Sequence, residues 1–197
     1  MTLKNLPLIP TIIVLAAVAT MIGLGIWQLG RMDEKAQLLE RYAAAQELPE
    51  PVAFPQGDDG ADVWFRRSEV TCESVMAIQP VAGTAASGAK GWAMRAQCAV
   101  GGGGQAMVDL GFSRDLEMPQ WEGGAAIGVI APGPRLIADP ALSGLAPLAR
   151  PDPADLPNNH FAYAMQWFFF AITALVIYAL ALKTRKPGRA RSAPNQD

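Results

Sequence analysis

The sequence predicts a membrane protein in which two transmembrane helices flank a small, mainly antiparallel-β extracytoplasmic domain. Three features lead there: an uncharged apolar run near each end, an acidic middle with short β-like stretches, and a cluster of bases after the second run.

The first run, Leu6 to Leu29, contains no ionisable side chain, and a helix needs about 20 such residues to cross the roughly 30 Å hydrocarbon layer. The second, Phe161 to Leu182, meets the same criterion. Two core helices of a soluble protein would need polar or charged positions at helical spacing, which disfavours that alternative. A cleaved signal peptide is the better rival for the first run, because Ala17-Val18-Ala19 resembles a cleavage site. The apolar stretch continues ten residues past it, to Leu29, which favours a retained anchor.

Composition agrees with this division. Of the 197 residues 51% are hydrophobic and 17% charged, where a soluble domain has about a quarter charged. Residues 30–157 hold ten Lys/Arg and seventeen Asp/Glu, a net of −7, while the two ends hold six bases and one acid. An acidic middle argues against nucleic acid as a partner, since phosphate binding needs clustered Lys/Arg.

Orientation follows from the flanks. Lys183, Arg185, Lys186, Arg189 and Arg191 crowd behind the second run, and cytoplasmic flanks collect such charge. The chain then divides into a cytoplasmic N-terminus (1–5), a first span (6–29), an extracytoplasmic domain (30–157), a second span (158–182) and a basic cytoplasmic tail (183–197). For a bacterial chain this means a multi-pass protein of the cell inner membrane with a periplasmic domain. Arg31, Lys35 and Arg41 run against the rule, but Asp33, Glu34 and Glu40 accompany them. Trp27 at the outer end of the first span, with Tyr163 and Trp167 at the outer end of the second, fits an aromatic belt of headgroup depth.

Within the middle, residues 30–47 are rich in helix formers and extend the first span as a polar stalk that stops before Leu48-Pro49-Glu50-Pro51. Residues 61–131 are β-rich, with runs at Val63–Ile78, Gly91–Val100, Gln105–Phe112 and Ala125–Ala131. Gly101 to Gly104 mark a hairpin turn, and the whole reads as a small antiparallel sheet or open barrel. Pro132 to Pro157, rich in proline and alanine, is expected to run over the surface without central strands. No internal repeat and no heptad pattern is visible.

The middle is not expected to be an enzyme. It lacks histidine, which removes His-based triads and His-rich metal sites. Asp58 and Asp62 form a conceivable carboxylate pair, but in a Gly/Asp loop a solvated turn is the simpler account. The glycine run lacks the Lys and Ser/Thr of a phosphate loop. Arg66-Arg67 reads as one stem-packed and one exposed arginine. Cys72 and Cys98 have no CxxC spacing; a structural disulfide and two buried thiols both remain open.

Two constellations stand out at the outer ends of the spans. The first is Gly25-Ile26-Trp27-Gln28-Leu29-Gly30-Arg31-Met32-Asp33-Glu34-Lys35 and the second is Asn158-Asn159-His160-Phe161-Ala162-Tyr163-Ala164-Met165-Gln166-Trp167-Phe168. Together they resemble the signature ends of the Surfeit-locus-one (Surf-one) family of cytochrome c oxidase assembly proteins, G-x-W-Q-L-x-R-x-x-x-K and N-N-H-x-x-Y-A-x-x-W-F. Phe65-Arg66-Arg67 and Val108-Asp109-Leu110-Gly111-Phe112 match the family's middle only loosely, with Leu110 and Phe112 where members often have Arg and Trp.

The resemblance implies an assembly factor for haem-copper cytochrome c oxidase, acting in maturation of subunit one and binding haem a at the outer membrane edge. The implied partners are oxidase subunit one, haem a synthase and membrane lipid. It makes His160 the metal ligand, with Tyr163, Trp167, Trp27, Gln28 and Arg31 around the cofactor. The residues agree with this in part: an Asn N-cap puts His160 in the first turn of the second span, with Tyr163, Ala164 and Trp167 on its face at i+3, i+4 and i+7. Ala164 leaves room for a macrocycle. Arg31 suits a haem propionate or a lipid phosphate, and His160 alternatively anchors the helix among headgroups. A membrane-anchored scaffold that contacts oxidase subunits without haem is the competing function, and an unrelated two-span sensor a third.

Overall fold

A computed structural model describes residues 7–57 and 60–184. The N-terminal residues 1–5, Asp58 of the carboxylate pair, and the tail from Arg185 with Lys186, Arg189 and Arg191 lie outside the described residues. The chain forms two compact units, one from the residues up to Ala36 and from Asn158 onward, the other from Gln37 to Pro157.

The first unit is an antiparallel helix pair. Helix α1 (Leu8–Gln46) contributes its residues up to Ala36 and helix α2 is His160–Thr184; both are long and apolar enough to cross a membrane. On α1, Thr11, Val18, Gly25 and Met32 recur every seven residues, with Val18 and Gly25 buried. On α2, Ala164, Ala171 and Tyr178 recur likewise, and both alanines are buried. This is a heptad seam, which the sequence did not disclose because two or three repeats of small residues leave no apolar contrast inside an apolar span. Thr11 Oγ1 lies 2.5 Å from the Tyr178 hydroxyl and 2.8 Å from the Pro7 carbonyl. The threonine proton goes to Pro7, so Tyr178 donates to Thr11.

The second unit holds a seven-stranded sheet of β1 (Val52–Ala53), β2 (Arg67–Cys72), β3 (Ser74–Thr84), β4 (Lys90–Val100), β5 (Gly104–Ser113), β6 (Gly124–Ala131) and β7 (Arg135–Ala138), in the order β1-β2-β6-β7-β5-β4-β3. Only Glu73 separates β2 from β3. The two are halves of one bent strand, the first pairing with β6 and the second with β4. Followed from β3 through β4, β5, β7 and β6, the sheet therefore returns to β2, and the Glu73 N–H reaches the Ala99 carbonyl at 2.9 Å across the join. This is the connectivity of the five-stranded Greek-key barrel known as the OB fold. Fold alone assigns no function.

Four strand pairings are antiparallel, but β1–β2 and β5–β7 are parallel, so the sheet is mixed. The expected surface course of Pro132–Pro157 is corrected at Arg135–Ala138. That segment is a central strand between β5 and β6, with Leu136 fully buried. Its four residues, hemmed by Pro134 and Pro140, are too short to show a period. The hairpin at the glycine run is present: Gly102 and Gly103 take φ of 77° and 78°, a left-handed turn that glycine adopts without strain. The stalk ends at Gln46, two residues before Leu48, and Tyr42 packs on Trp64 and Phe65 with ring centroids 5.9 and 5.1 Å away.

Strand alternation decides what the barrel encloses. In β2, Ser68, Val70 and Cys72 point inward while Arg67, Glu69 and Thr71 face out. Val70 and Cys72 join Ala96, Val108, Leu110, Ile130 and Leu136 in the core. Cys72 and Cys98 are joined in a disulfide. It links the end of β2 to β4 at the bend, next to the Glu73–Ala99 hydrogen bond, and so fastens the join between the two halves of the bent strand. Arg66 is half-buried and reaches the Glu50 carbonyl at 3.0 Å, while Arg67 is exposed.

Candidate functional site

The two motifs meet within the helix pair, in three contacts on successive levels. Innermost, the Phe168 ring lies over Gly25, where a Cβ would run into it; only glycine admits that ring against α1. One turn out, His160 Nδ1 sits 2.7 Å from Gln28 Oε1. Outermost, the Asn158 amide donates to the Met32 carbonyl at 3.2 Å. Residues more than 120 positions apart in the chain are thus halves of one structure.

Local rules place each member. Gly25, Gln28 and Met32 follow one another at i, i+3 and i+7, one stripe of α1. On α2, the Asn159 carbonyl accepts from the Tyr163 N–H at 3.3 Å, which makes Asn159 the N-cap and His160 the first helical residue. Asn158, just outside, spends its amide N–H on α1, and its buried Oδ1 has no hydrogen-bond partner among the described residues.

The ring's chemistry follows from its partner. A carbonyl oxygen only accepts, so with Oε1 facing it Nδ1 carries the proton, and in a neutral imidazole Nε2 is then the bare nitrogen. Nε2 has no hydrogen-bond partner among the described residues. Metal-bound histidines are held in this manner, one ring N–H donated to an acceptor and the other nitrogen on the metal.

The other expected site residues are arranged differently. Trp27 and Tyr163 are more than half exposed. Trp167 is half-buried and meets Phe170 edge-on, centroids 6.1 Å apart. Arg31 pairs with Glu34 on the exposed surface of α1. Ala164 is fully buried on the seam, so its small size serves helix packing. A shallow open cleft of about 350 Å³ runs along α2, lined by Asn159, Ala162, Tyr163 and Gln166; His160 does not line it. Among the described residues no group of three or more His, Cys, Asp or Glu is placed to hold a metal.

The barrel holds a separate polar cluster that sequence reasoning missed. Asp109 of β5, 3% exposed, takes Arg95 of β4 at 2.6 and 3.0 Å and Arg135 of β7 at 3.1 Å. All three lie on adjacent strands, so only the strand order, with β7 next to β5, assembles them. A carboxylate saturated by two arginines is an electrostatic cross-brace.

Helix pair and barrel together define a membrane-anchored protein whose one histidine is presented by a contact between spans. The profile of the SURF1 family matches residues 15–124, more than half of the chain, and the chain belongs to that family, which is associated with cytochrome c oxidase assembly. A comparison with curated proteins finds no match. The matched range includes the first motif and ends before the second, whose place beside the first is given by the helix pair.

Proposed function

We propose that this chain serves maturation of subunit one of a haem-copper oxidase by taking haem a as cargo on His160, at the outer edge of the membrane. The supporting observation is the Gln28–His160 hydrogen bond, which leaves Nε2 as a bare, unpartnered nitrogen of the kind haem iron accepts. Haem brings the iron; the chain supplies one ligand, a half-buried ring fixed between two helices, and aromatic side chains Trp27, Tyr163 and Trp167 at the same end of the pair. Arg31 retains donors beyond its bond to Glu34, for a propionate or for lipid phosphate. The chain sits in the cell inner membrane with both termini cytoplasmic and the barrel periplasmic, from the basic tail. Its partners are oxidase subunit one and, at the loading step, haem a synthase.

His160→Ala tests this. The variant should insert and accumulate normally, because the lost interhelical bond is worth only about 0.6 kcal/mol, yet bind little haem a. The measurement is haem a stoichiometry of protein purified from haem a-producing cells, at matched protein amounts. Full occupancy with an unchanged spectrum would remove His160 as ligand and leave a scaffold that contacts oxidase subunits without haem.

A further inference from the structure

We infer that Gln28 is a positioning residue: its side-chain carbonyl selects the Nδ1–H tautomer of His160 and so decides which ring nitrogen is offered to a ligand. This rests on the function proposed above for its purpose, but not for its geometry, which belongs to the chain alone.

Gln28 Oε1 is 2.7 Å from Nδ1, within the range of a well-formed hydrogen bond. A free imidazole in water favours the opposite tautomer, with the proton on Nε2, so a specific acceptor at Nδ1 is what inverts the preference. Gln28 is well placed to impose it. The contacts of Gly25 with Phe168 and of Met32 with Asn158 lie on either side of it along the same stripe of α1. They hold the backbones of both helices in register at this level, so the Gln28 and His160 side chains start from fixed positions opposite one another. Both side chains are half-buried, where an acceptor competes with little water. Gln28 acts on a ligand through His160 in this reading.

An amide turned the other way would present N–H to Nδ1 and force the proton to Nε2, so the position of one proton separates the two arrangements. His160 is the only histidine in the chain. Protein labelled with ¹⁵N-histidine thus carries one labelled imidazole, and its two nitrogens can be read without assignment. The full-length chain, purified without haem in lipid nanodiscs, is measured at a pH chosen so that the spectrum itself shows a single ring proton. Wild type should show one protonated nitrogen coupled as Nδ1. Gln28→Leu should move the ring to mainly Nε2–H, and Gln28→Glu, an acceptor when ionised, should restore Nδ1–H. A wild-type ring protonated at Nε2, or a Gln28→Leu ring still wholly Nδ1–H, would overturn the assignment. With haem a added, Gln28→Leu should bind at least about tenfold more weakly than wild type, the usual cost of losing such a supporting partner; undiminished affinity despite the tautomer change also counts against it. A wild-type chain with the Nδ1–H ring that takes up no haem a would sink the proposed function while upholding the tautomer assignment.

Discussion

The helix pair and the barrel cohere by opposite means. The barrel buries large side chains, Leu110, Ile130 and Leu136, away from water, and adds a disulfide and the Arg95–Asp109–Arg135 brace. The helix pair buries little: its seam is Val18, Gly25, Ala164 and Ala171. The difference is the solvent. Burial drives a fold in water, but lipid tails are as apolar as leucine, so two spans associate through close packing of small residues and through hydrogen bonds. Polar side chains between spans are for that reason the informative ones. In the barrel a polar cluster braces strands, while in the helix pair the polar contacts align one imidazole.

That contrast can be broken from either side. The largest effect is expected in the barrel: Leu136→Ala, at a fully buried position of the central strand β7, should cost about 2–5 kcal/mol. Urea unfolding of the full chain in detergent, followed by tryptophan fluorescence, measures it. A loss under about 1 kcal/mol would mean that β7 does not line the core.

A smaller effect is expected where packing is by small residues. Gly25→Leu pushes into the Phe168 ring and should cost about 1–3 kcal/mol of helix pairing while the barrel's unfolding stays unchanged. Spin labels on Trp27→Cys and Phe161→Cys, both exposed, report the separation of the helices' outer ends in nanodiscs. The distance distribution should lengthen and broaden; an unaltered distribution would show that α1 tolerates bulk at this level and that the glycine has another purpose.

The smallest effect is expected at the other end of the seam. Tyr178→Phe removes the hydroxyl that donates to Thr11, and Thr11 keeps its bond to Pro7. A single interhelical hydrogen bond averages about 0.6 kcal/mol in lipid. The label distance at the outer end should not change, since the Gly25, Gln28 and Met32 contacts lie several turns away. A cost above about 2 kcal/mol would indicate that this pair, and not the outer contacts, holds the spans together.

Local patterns, whose physics acts over a few residues, were legible in the sequence alone. Uncharged length gave the spans, proline the end of the stalk, glycine the β4–β5 turn, and alternation most of the strands. Motif spacing drew attention to Gln28 and His160 as separate candidates. Whatever depends on who stands beside whom was decided by the tertiary structure. Only the return of the bent β2–β3 strand onto β6 closes the barrel, and only the β3–β4 register beside the bend brings Cys72 to Cys98; only the insertion of β7 beside β5 delivers Arg135 to Asp109. Only the antiparallel register of α1 and α2 sets Gln28 against His160. A residue's chemistry can be read from its type, but the proton it carries is set by a partner more than a hundred positions away.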